Sequence, residues 1–413
     1  MQQAGRFFYG WLIAGMAMLS LMVSNGLVIP GITVFDGALL EEFGWNRGTL
    51  KFRGLLTFAG AGLLAPLAGA LADRYGVRRL MAFGFLLLTA CLFGYARINS
   101  AMGMYTIHTL YALVLVTAGL VVNVMLVSHW FEARRGTAIG IALVGTSLGG
   151  VFFPQLGTRW IEAHGWRRAF ELEAAFPIVL FFLVLLFVRD RPEDMGLRPL
   201  GAAQSGDSSE PTVPVLTGVP YAQALRTGTF WALAFAAMTT FYSILAAQAH
   251  LFLHLSDMGF DAAGAAKGVS FLFLMALVGK FGFGFLADQL PQKKVFLANL
   301  AVMLVGAILL ATLQKSLLWP AIFLFGLGWG GLYTLLQLLA VESFGLLAVG
   351  KIVGTITMLD AIGGGLGIWL TGVLFDRTGS YQVPFALLAT LVFLALLVAT
   401  RVDPEGTRKM SES

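Results

Sequence analysis

The sequence predicts an all-α membrane protein in which twelve transmembrane helices form two six-helix bundles. Three observations support this fold class: an apolar composition, about twelve long apolar segments, and a repeat that relates the two halves of the chain. Hydrophobic residues make up 58% of the 413 residues and charged residues only 12%, and the mean hydropathy is +0.82. Because soluble domains carry roughly 25% charged residues, this composition excludes the soluble globular classes.

The apolar segments are each roughly twenty residues long, which lets a helix cross the ~30 Å hydrocarbon core of a bilayer. They do not alternate with polar residues, so helices are favoured over a transmembrane β-barrel. Residues 190–219 interrupt the series with a polar stretch rich in Pro, Gly and Ser, which predicts a flexible cytoplasmic linker. The predicted domains are an N-terminal six-helix bundle over 1–189, that linker, and a C-terminal six-helix bundle over 220–413.

The basic residues indicate the orientation of the chain. If both termini lie inside, sixteen Lys and Arg residues flank the inner side and ten flank the outer side. Basic residues concentrate on the cytoplasmic side, so we expect a multi-pass protein of the plasma membrane, a bacterial inner membrane, with both termini in the cytoplasm. The net charge of +5 is spread in ones and twos beside apolar segments, which is typical of membrane loops and does not indicate a nucleic-acid partner.

The two halves of the chain repeat each other. The stretch "GALADRYGVRR" at 69–79 returns in degenerate form as "GFLADQLPQKK" at 284–294, 215 positions later. Near the fourth and fifth segments an aromatic residue and four glycines recur at an offset of 213 or 214, namely Phe131, Gly136, Gly140, Gly149 and Gly150 against Phe344, Gly350, Gly354, Gly363 and Gly364. A duplicated six-helix unit in parallel orientation is the architecture of many secondary transporters, whose substrate site lies between the halves near the midplane.

The repeated stretch also carries a family resemblance. "GALADRYGVRR" resembles the signature of the loop between helices 2 and 3 in the major facilitator superfamily, and the second copy stands in the corresponding loop. Five stretches resemble the branch of monocarboxylate transporters and oxalate:formate antiporters: "WFEARRGTAIGIALVGTSLGG" (130–150), "HGWRRAF" (164–170), "LRTGTFW" (225–231), "FGLGWGGLYTLL" (325–336) and "GGGLG" (363–367). The resemblance covers nearly the whole chain and implies the major facilitator fold, with transport by alternating access.

The loop residues predict a conformational latch at the inner face. Asp73 ends a helix, where it can accept hydrogen bonds from a neighbouring helix N-terminus or pair with a nearby arginine. Gly69 is expected to allow close packing and Gly76 a tight turn. Such contacts would hold the two halves in one state, although the basic cluster could instead serve only to fix the topology. The predicted latch residues are Gly69, Asp73, Arg74, Gly76, Arg78, Arg79 and Asp288.

Lys280 is the one basic residue that the topology leaves unexplained. It stands in the apolar run "FLFLMALVGKFGFGFLAD" (271–288), about 12 Å along the helix from Asp288. A lysine near the bilayer centre costs about 2.5–3.5 kcal/mol on insertion scales, so such residues mark pathways or ion pairs. In the monocarboxylate branch this position resembles that of an arginine that binds the substrate carboxylate, and Lys280 keeps the charge without the bidentate fork. The alternatives are a structural role or a side chain that extends to the interface.

Asp360 is the matching acid, and it lies at a similar depth, nine residues beyond Lys351. A pair between Lys280 and Asp360 would neutralise both charges in the empty site. We hypothesise that protonation of Asp360, which burial favours, frees Lys280 for an organic anion and so couples one proton to one carboxylate. Alternatively, Asp360 accepts local hydrogen bonds at a helix–helix contact. Because the oxalate type of antiporter carries a second cation in this helix, an acid there argues against a dianion.

Three further polar residues are candidates for substrate contact, each with a packing alternative. Tyr333 follows "GLGWGG" at a place where the branch often has a tyrosine in the cavity. His250 lies one turn before His254 at the outer end of the seventh segment, where interfacial histidines are common. Asn123 in the fourth segment could supply hydrogen bonds from the N-terminal half, or a neighbouring helix could satisfy its amide.

Enzyme signatures are absent from the sequence. It has no "GxxxxGK[ST]" and no zinc-type spacing of Cys and His, and its glycine runs lie inside apolar helices. We therefore expect no catalytic residues, no metal and no cofactor.

The predicted function is secondary active transport of a small organic anion, by proton-coupled symport of a lactate-like monocarboxylate. The expected partners are protons and the lipid bilayer, and the expected working unit is a monomer. The alternatives are an organic anion exchanger of the oxalate/formate type and a non-transporting membrane sensor with a transporter fold.

Overall fold

The computed structural model describes residues 8–201 and 217–409. Within these residues twelve helical segments are long and apolar enough to cross a membrane, which confirms the predicted fold class. They are α1 Tyr9–Phe43, α2 Arg47–Tyr75, α3 Val77–Tyr95, α4 Ala101–Trp130, α5 Arg135–His164, α6 Trp166–Phe187, α7 Gly228–Asp257, α8 Ala262–Gln289, α9 Gln292–Ala311, α10 Lys315–Phe344, α11 Val349–Thr378 and α12 Gln382–Ala399. Short helical turns occupy Pro192–Met195, Tyr221–Ala224 and Pro404–Lys409.

The chain divides into two compact units. The first contains the described residues of Met1–Ile32 and Leu64–Val213, and the second those of Thr33–Leu63 and Pro214–Ser413. The end of α1 and the first half of α2 therefore pack with the C-terminal helices. Most of the predicted linker, residues 202–216, lies outside the described residues, and the predicted domain boundaries stay a prediction.

In the first unit α1 and α5 touch along their backbones. A Cβ added to Gly145 would overlap the carbonyl oxygen of Met18, and one added to Gly149 would overlap that of Met22. Helices in lipid gain little from the hydrophobic effect, so close van der Waals contact at small residues stabilises their association. Of the glycines that the repeat analysis singled out in this helix, Gly149 therefore has a packing role, whereas a Cβ at Gly136 or Gly140 would meet nothing within 4 Å among the described residues.

The helix α4 is broken in the middle of its span. Its first part ends at Ala118 and its second begins at Leu120, with Gly119 between them in an extended conformation. The side-chain amide of Asn123 donates to the carbonyl oxygens of Ala118 at 3.0 Å and Gly119 at 2.8 Å, and the Ser24 hydroxyl also donates to Ala118 at 3.0 Å. Backbone groups at membrane depth must be satisfied within the protein, so these side chains make the break tolerable.

We expect Asn123→Ala to destabilise the first unit, because it removes two buried hydrogen bonds from carbonyls that water cannot reach. Because both carbonyls keep another donor, the loss is expected to be about 0.5–1.5 kcal/mol per hydrogen bond and to appear as a lower melting temperature of the purified protein in detergent. Ser24→Ala removes one donor and leaves Asn123 in place, so its effect should be smaller. An unchanged melting temperature for Asn123→Ala would contradict this role.

Candidate substrate and proton site

The backbone at Lys280 lies in a close contact between α8 and α10. A Cβ added to Gly279 would overlap the carbonyl oxygen of Leu327, and one added to Gly330 would lie 2.7 Å from the backbone nitrogen of Lys280. The two helices therefore meet backbone to backbone at this level. Lys280 itself is half-buried and lies within the span of α8, and its role in substrate binding stays a prediction.

A small cavity lies between α10 and α11 in the same unit. Its volume is about 10 Å³, the space of about one water molecule. The polar residues of its wall are Tyr333, Gln337, Thr357 and Asp360, and apolar side chains complete it. Asp360 is 5% exposed, and the Tyr333 hydroxyl lies near Gln337 and Thr357. The structure thus brings together Tyr333 and Asp360, two residues that the sequence analysis chose separately.

The helix α10 lies against both candidate charges. Gly330 contacts the backbone at Lys280, and one turn later Tyr333 shares the cavity of Asp360. Whether the two charges meet, as the sequence analysis predicts, stays a prediction, and α10 is the element that contacts the surroundings of both.

His250 is held by two protein partners. Its Nε2 lies 2.9 Å from the carbonyl oxygen of Ile368, which can only accept, so Nε2 carries the proton and Nδ1 accepts from the Tyr381 hydroxyl at 3.0 Å. Burial raises the pKa of the Tyr381 hydroxyl, which stands in the turn before α12, and this keeps it a donor. Substrate contact by His250 stays a prediction that would require one of these bonds to open.

Asn123 uses its amide nitrogen at the break in α4, as described above. Its Oδ1 is buried and has no hydrogen-bond partner in the described part of the chain. The alternative that the sequence analysis left open, an amide satisfied within the bundle, therefore holds for the donor half of the group. The acceptor half still has capacity for a hydrogen bond, so substrate contact by Asn123 stays a prediction.

Some of the predicted latch residues are exposed, and others contact neighbouring residues. Asp73, Arg74, Arg79 and Asp288 are exposed, so their latch role stays a prediction. A Cβ at Gly69 would meet nothing within 4 Å among the described residues, so the close packing expected there is not found.

Gly76 and Arg78 contact an acid that the sequence analysis did not select. Gly76 has φ +82°, as a tight turn requires, and a Cβ there would overlap the Asp190 carboxylate. The backbone nitrogen of Arg78 donates to Asp190 Oδ1 at 2.6 Å, and its guanidinium donates to the carbonyl of Leu185. The only sequence signal for Asp190 was its position just after an apolar segment.

Sequence reasoning also missed a buried charge cluster at the start of α2. Lys51 and Arg53 are among the ten basic residues that the sequence analysis assigned to the outer side, but they are 1% and 3% exposed, and Asp36 beside them is 0% exposed. Lys51 Nζ lies 2.5 Å from Asp36 Oδ2, and Arg53 binds the other carboxylate oxygen. Two cations thus share one carboxylate in the second unit. The available signal was a pair of bases that precedes an apolar run and an acid inside the first apolar span.

Next to this cluster, Arg47 joins α2 to α7 and α11. Its guanidinium makes two 2.7 Å hydrogen bonds to Asp257 and lies 3.7 Å from the centre of the Phe375 ring. The backbone nitrogens of Arg47 and Gly48 donate to the Asp376 carboxylate at 2.9 and 2.6 Å. Asp376 therefore caps the N-terminus of α2, where a negative charge also complements the helix dipole.

Comparison with known proteins agrees with this architecture. Residues 10–368 match the family model of the Major Facilitator Superfamily. The chain is 28% identical to monocarboxylate transporter 11 of Mus musculus over 407 residues, which covers 93% of this chain and 85% of that protein. It is 24% identical to YhjX, an uncharacterized MFS-type transporter of Escherichia coli (strain K12), over 339 residues and 80% of each chain. A solved D-xylose-proton symporter has the same fold, with a TM-score of 0.76 at 13% identity over 96% of this chain and 98% of that one.

We expect Asp36→Asn to destabilise the protein, because it removes the carboxylate that binds the buried cations Lys51 and Arg53. Removing one partner from a buried ionic group typically costs about 3–5 kcal/mol, whereas replacing the whole group with apolar residues is often neutral. The triple variant Asp36→Asn, Lys51→Met, Arg53→Met should therefore be more stable than Asp36→Asn alone. Thermal unfolding in detergent measures both, and equal melting temperatures for the single and triple variants would contradict this account.

Proposed function

Since the chain belongs to the Major Facilitator Superfamily, whose members are transporters and not enzymes, we propose that it moves a small monocarboxylate together with a proton by alternating access. The observation that carries this proposal is Lys280, a half-buried cation within the apolar span of α8, where the backbone lies against α10. A monocarboxylate transporter among the relatives supports the substrate class. We further propose that this multi-pass membrane protein lies in a bacterial inner membrane with cytoplasmic termini and functions as a monomer.

Lys280 is the proposed ligand of the substrate carboxylate. Its ammonium offers three hydrogen-bond donors and one positive charge, which suit a monoanion. In a low-dielectric site such a charge-assisted hydrogen bond is stronger than in water. Because the α8–α10 contact fixes the backbone at Lys280, the four-carbon stem alone adjusts the position of the charge. We therefore expect selection for one negative charge.

Asp360 is the proposed proton carrier. It is buried with Tyr333, Gln337 and Thr357 around a cavity of about one water, and a carboxyl in such surroundings favours the neutral form. The cavity provides both a proton path through a water and hydrogen-bond partners for either form of the acid. Proton uptake at Asp360 would change the hydrogen bonding of Tyr333 and, through α10, the support beneath Lys280. Coupling by this route does not need a direct ion pair between the two charges.

The exposed residues of the loop motif are the proposed latch. Asp73, Arg74 and Arg79 follow α2, and Asp288 stands in the matching place at the end of α8. Exposed charges are available for contacts that form in another state of the cycle and break in this one. We propose that they hold the inner face closed in that state.

We expect Asp360→Asn to abolish uptake driven by a pH gradient while exchange of internal for external substrate continues, because the carboxyl can no longer carry the proton. Labelled L-lactate uptake into proteoliposomes, with and without an inward proton gradient, measures this. Asp261→Asn is the matched control, since Asp261 is an exposed acid that caps α8 through Gly264 at 2.8 Å. Gradient-driven uptake that survives in Asp360→Asn would remove Asp360 from the mechanism.

We expect Lys280→Met to raise the KM for L-lactate at least about tenfold, because the substrate carboxylate loses a charge-assisted hydrogen bond. Lys280→Arg keeps the charge and should retain saturable transport with a changed KM. Initial uptake rates across a substrate series in proteoliposomes measure both. If Lys280→Met transports lactate like the wild type, Lys280 is not the ligand. If the wild type takes up no labelled monocarboxylate, the proposed substrate class is wrong.

A further inference from the structure

The first unit contains a cavity that the proposed transport mechanism does not use. Its volume is about 370 Å³, which falls in the range of roughly 300–1,000 Å³ that small-molecule sites occupy. The residues that line it belong to α1 and α5. The apolar part of its wall includes Met22, Leu148, Phe152 and Leu156, and the polar part consists of Gln155 and Arg159.

The cavity has one charged end and an apolar interior. Its lining residues on α5 recur at intervals of three or four and so share one face of the helix, namely Leu148, Phe152, Gln155 and Arg159. Arg159 stands five residues before the last residue of α5. Leu148 lies eleven residues earlier, which is about 16 Å further into the span at the rise of an α-helix. This polarity matches a ligand with an acidic head and an apolar tail.

Contacts within the first unit hold the walls of the cavity in place. Met22 lines the cavity, and a Cβ added to Gly149 would overlap its carbonyl oxygen, so the backbones of α1 and α5 touch beside the cavity. Phe152 packs edge to face on Phe153 and Phe176, with ring centres 5.2 and 5.9 Å apart. Because these contacts do not need a ligand, the walls are preformed, which lowers the entropy lost on binding.

Arg159 is available to bind an anion at the charged end. Its side chain is exposed, and none of the ion pairs found within residues 8–201 and 217–409 involves it. Glu162, the nearest acid along α5, is also exposed. A guanidinium can bind both oxygens of a carboxylate through its planar fork, and Gln155 adds an amide one turn earlier. The charged end therefore suits a planar monoanionic group.

We propose that this cavity binds an amphipathic monocarboxylate, whose carboxylate pairs with Arg159 and whose single apolar tail lies along Met22 and Leu156. The site goes beyond the proposed function, which assigns a lactate-like anion to Lys280 in the second unit. Lactate has one methyl group to place against apolar walls, whereas a phospholipid brings two long tails. The single cation and the volume of the cavity therefore favour a free monocarboxylate with one tail of medium length.

The head and the tail of such a ligand contribute to affinity in separable ways. Each methylene that moves from water into the cavity should lower the Kd about fourfold, until the tail exceeds the length of the cavity. The charge-assisted hydrogen bonds to the carboxylate should lower the Kd at least about tenfold relative to a neutral amide of the same length. Only the second effect requires Arg159.

Equilibrium binding of labelled octanoate tests the site. The full-length protein is placed in phosphatidylcholine nanodiscs, and protein-free nanodiscs give the non-specific part. Octanoate is expected to bind saturably, at least about tenfold tighter than octanamide. Arg159→Gln should weaken octanoate by a similar factor and bind both compounds alike. Arg159→Lys keeps the charge without the fork, so its affinity for octanoate should lie between those of the wild type and Arg159→Gln.

Two variants of Leu156 test the apolar part of the cavity. Leu156→Trp fills space that at least two methylenes would occupy, so it should weaken octanoate at least about tenfold and butyrate less. Leu156→Ala enlarges the cavity and should move the tightest-binding chain length from octanoate towards decanoate. Arg377→Gln is the matched control, since Arg377 is an exposed arginine in the last turn of α11. Melting temperatures equal to that of the wild type show that a lost affinity is not unfolding.

Four results would overturn this inference. Two of them are octanoate binding that is unchanged in Arg159→Gln, and equal binding of octanoate and octanamide by the wild type. The third is loss of octanoate binding when phosphatidylglycerol replaces phosphatidylcholine, which would assign the cavity to an anionic lipid. The fourth is octanoate binding that is lost in Lys280→Met and retained in Arg159→Gln, which would assign the ligand to the proposed transport site.

Discussion

The cost of leaving a charge or a backbone group without a partner in a low-dielectric medium is the constraint that organises this molecule. Water cannot solvate such groups at membrane depth, and each one left unsatisfied costs several kcal/mol. Asn123 and Ser24 meet this requirement where α4 breaks, and Asp36 meets it for two cations at once. These polar side chains therefore stabilise the spans in which they lie.

The same constraint explains how far the sequence alone could go. Composition, span length and the repeated loop motif are local or periodic signals, and they predicted the twelve helices and the family correctly. Lys280 stood out because its neighbours along the chain are apolar. Asp36 did not, because its partners Lys51 and Arg53 are fifteen and seventeen residues away and looked like ordinary residues at a helix end. A charged residue that is buried only by tertiary contacts does not stand out in the local sequence pattern.

The loop motif at 69–79 shows a second limit of prediction from sequence. The tight turn at Gly76 follows from the residue type, because glycine adopts positive φ without strain. Its partner Asp190 comes from the end of α6, more than a hundred residues later. Spacing within a motif predicts local geometry. The acid that caps the N-terminus of a helix comes from a distant part of the chain, so spacing within the motif does not predict it. Asp376 at the start of α2 repeats this pattern in the second unit.

Asp190 and Asp376 each accept hydrogen bonds from backbone nitrogens at the start of a helix. An acid that caps a helix through backbone amides keeps its charge without a cationic side chain, so it can hold a contact whose release leaves no unpaired lysine or arginine on the helix. The ion pair of Arg47 with Asp257 is different, since its separation leaves an unpaired charge on each side. A transporter that changes shape at every cycle can place caps where contacts must simply open, and ion pairs where opening must depend on an ion.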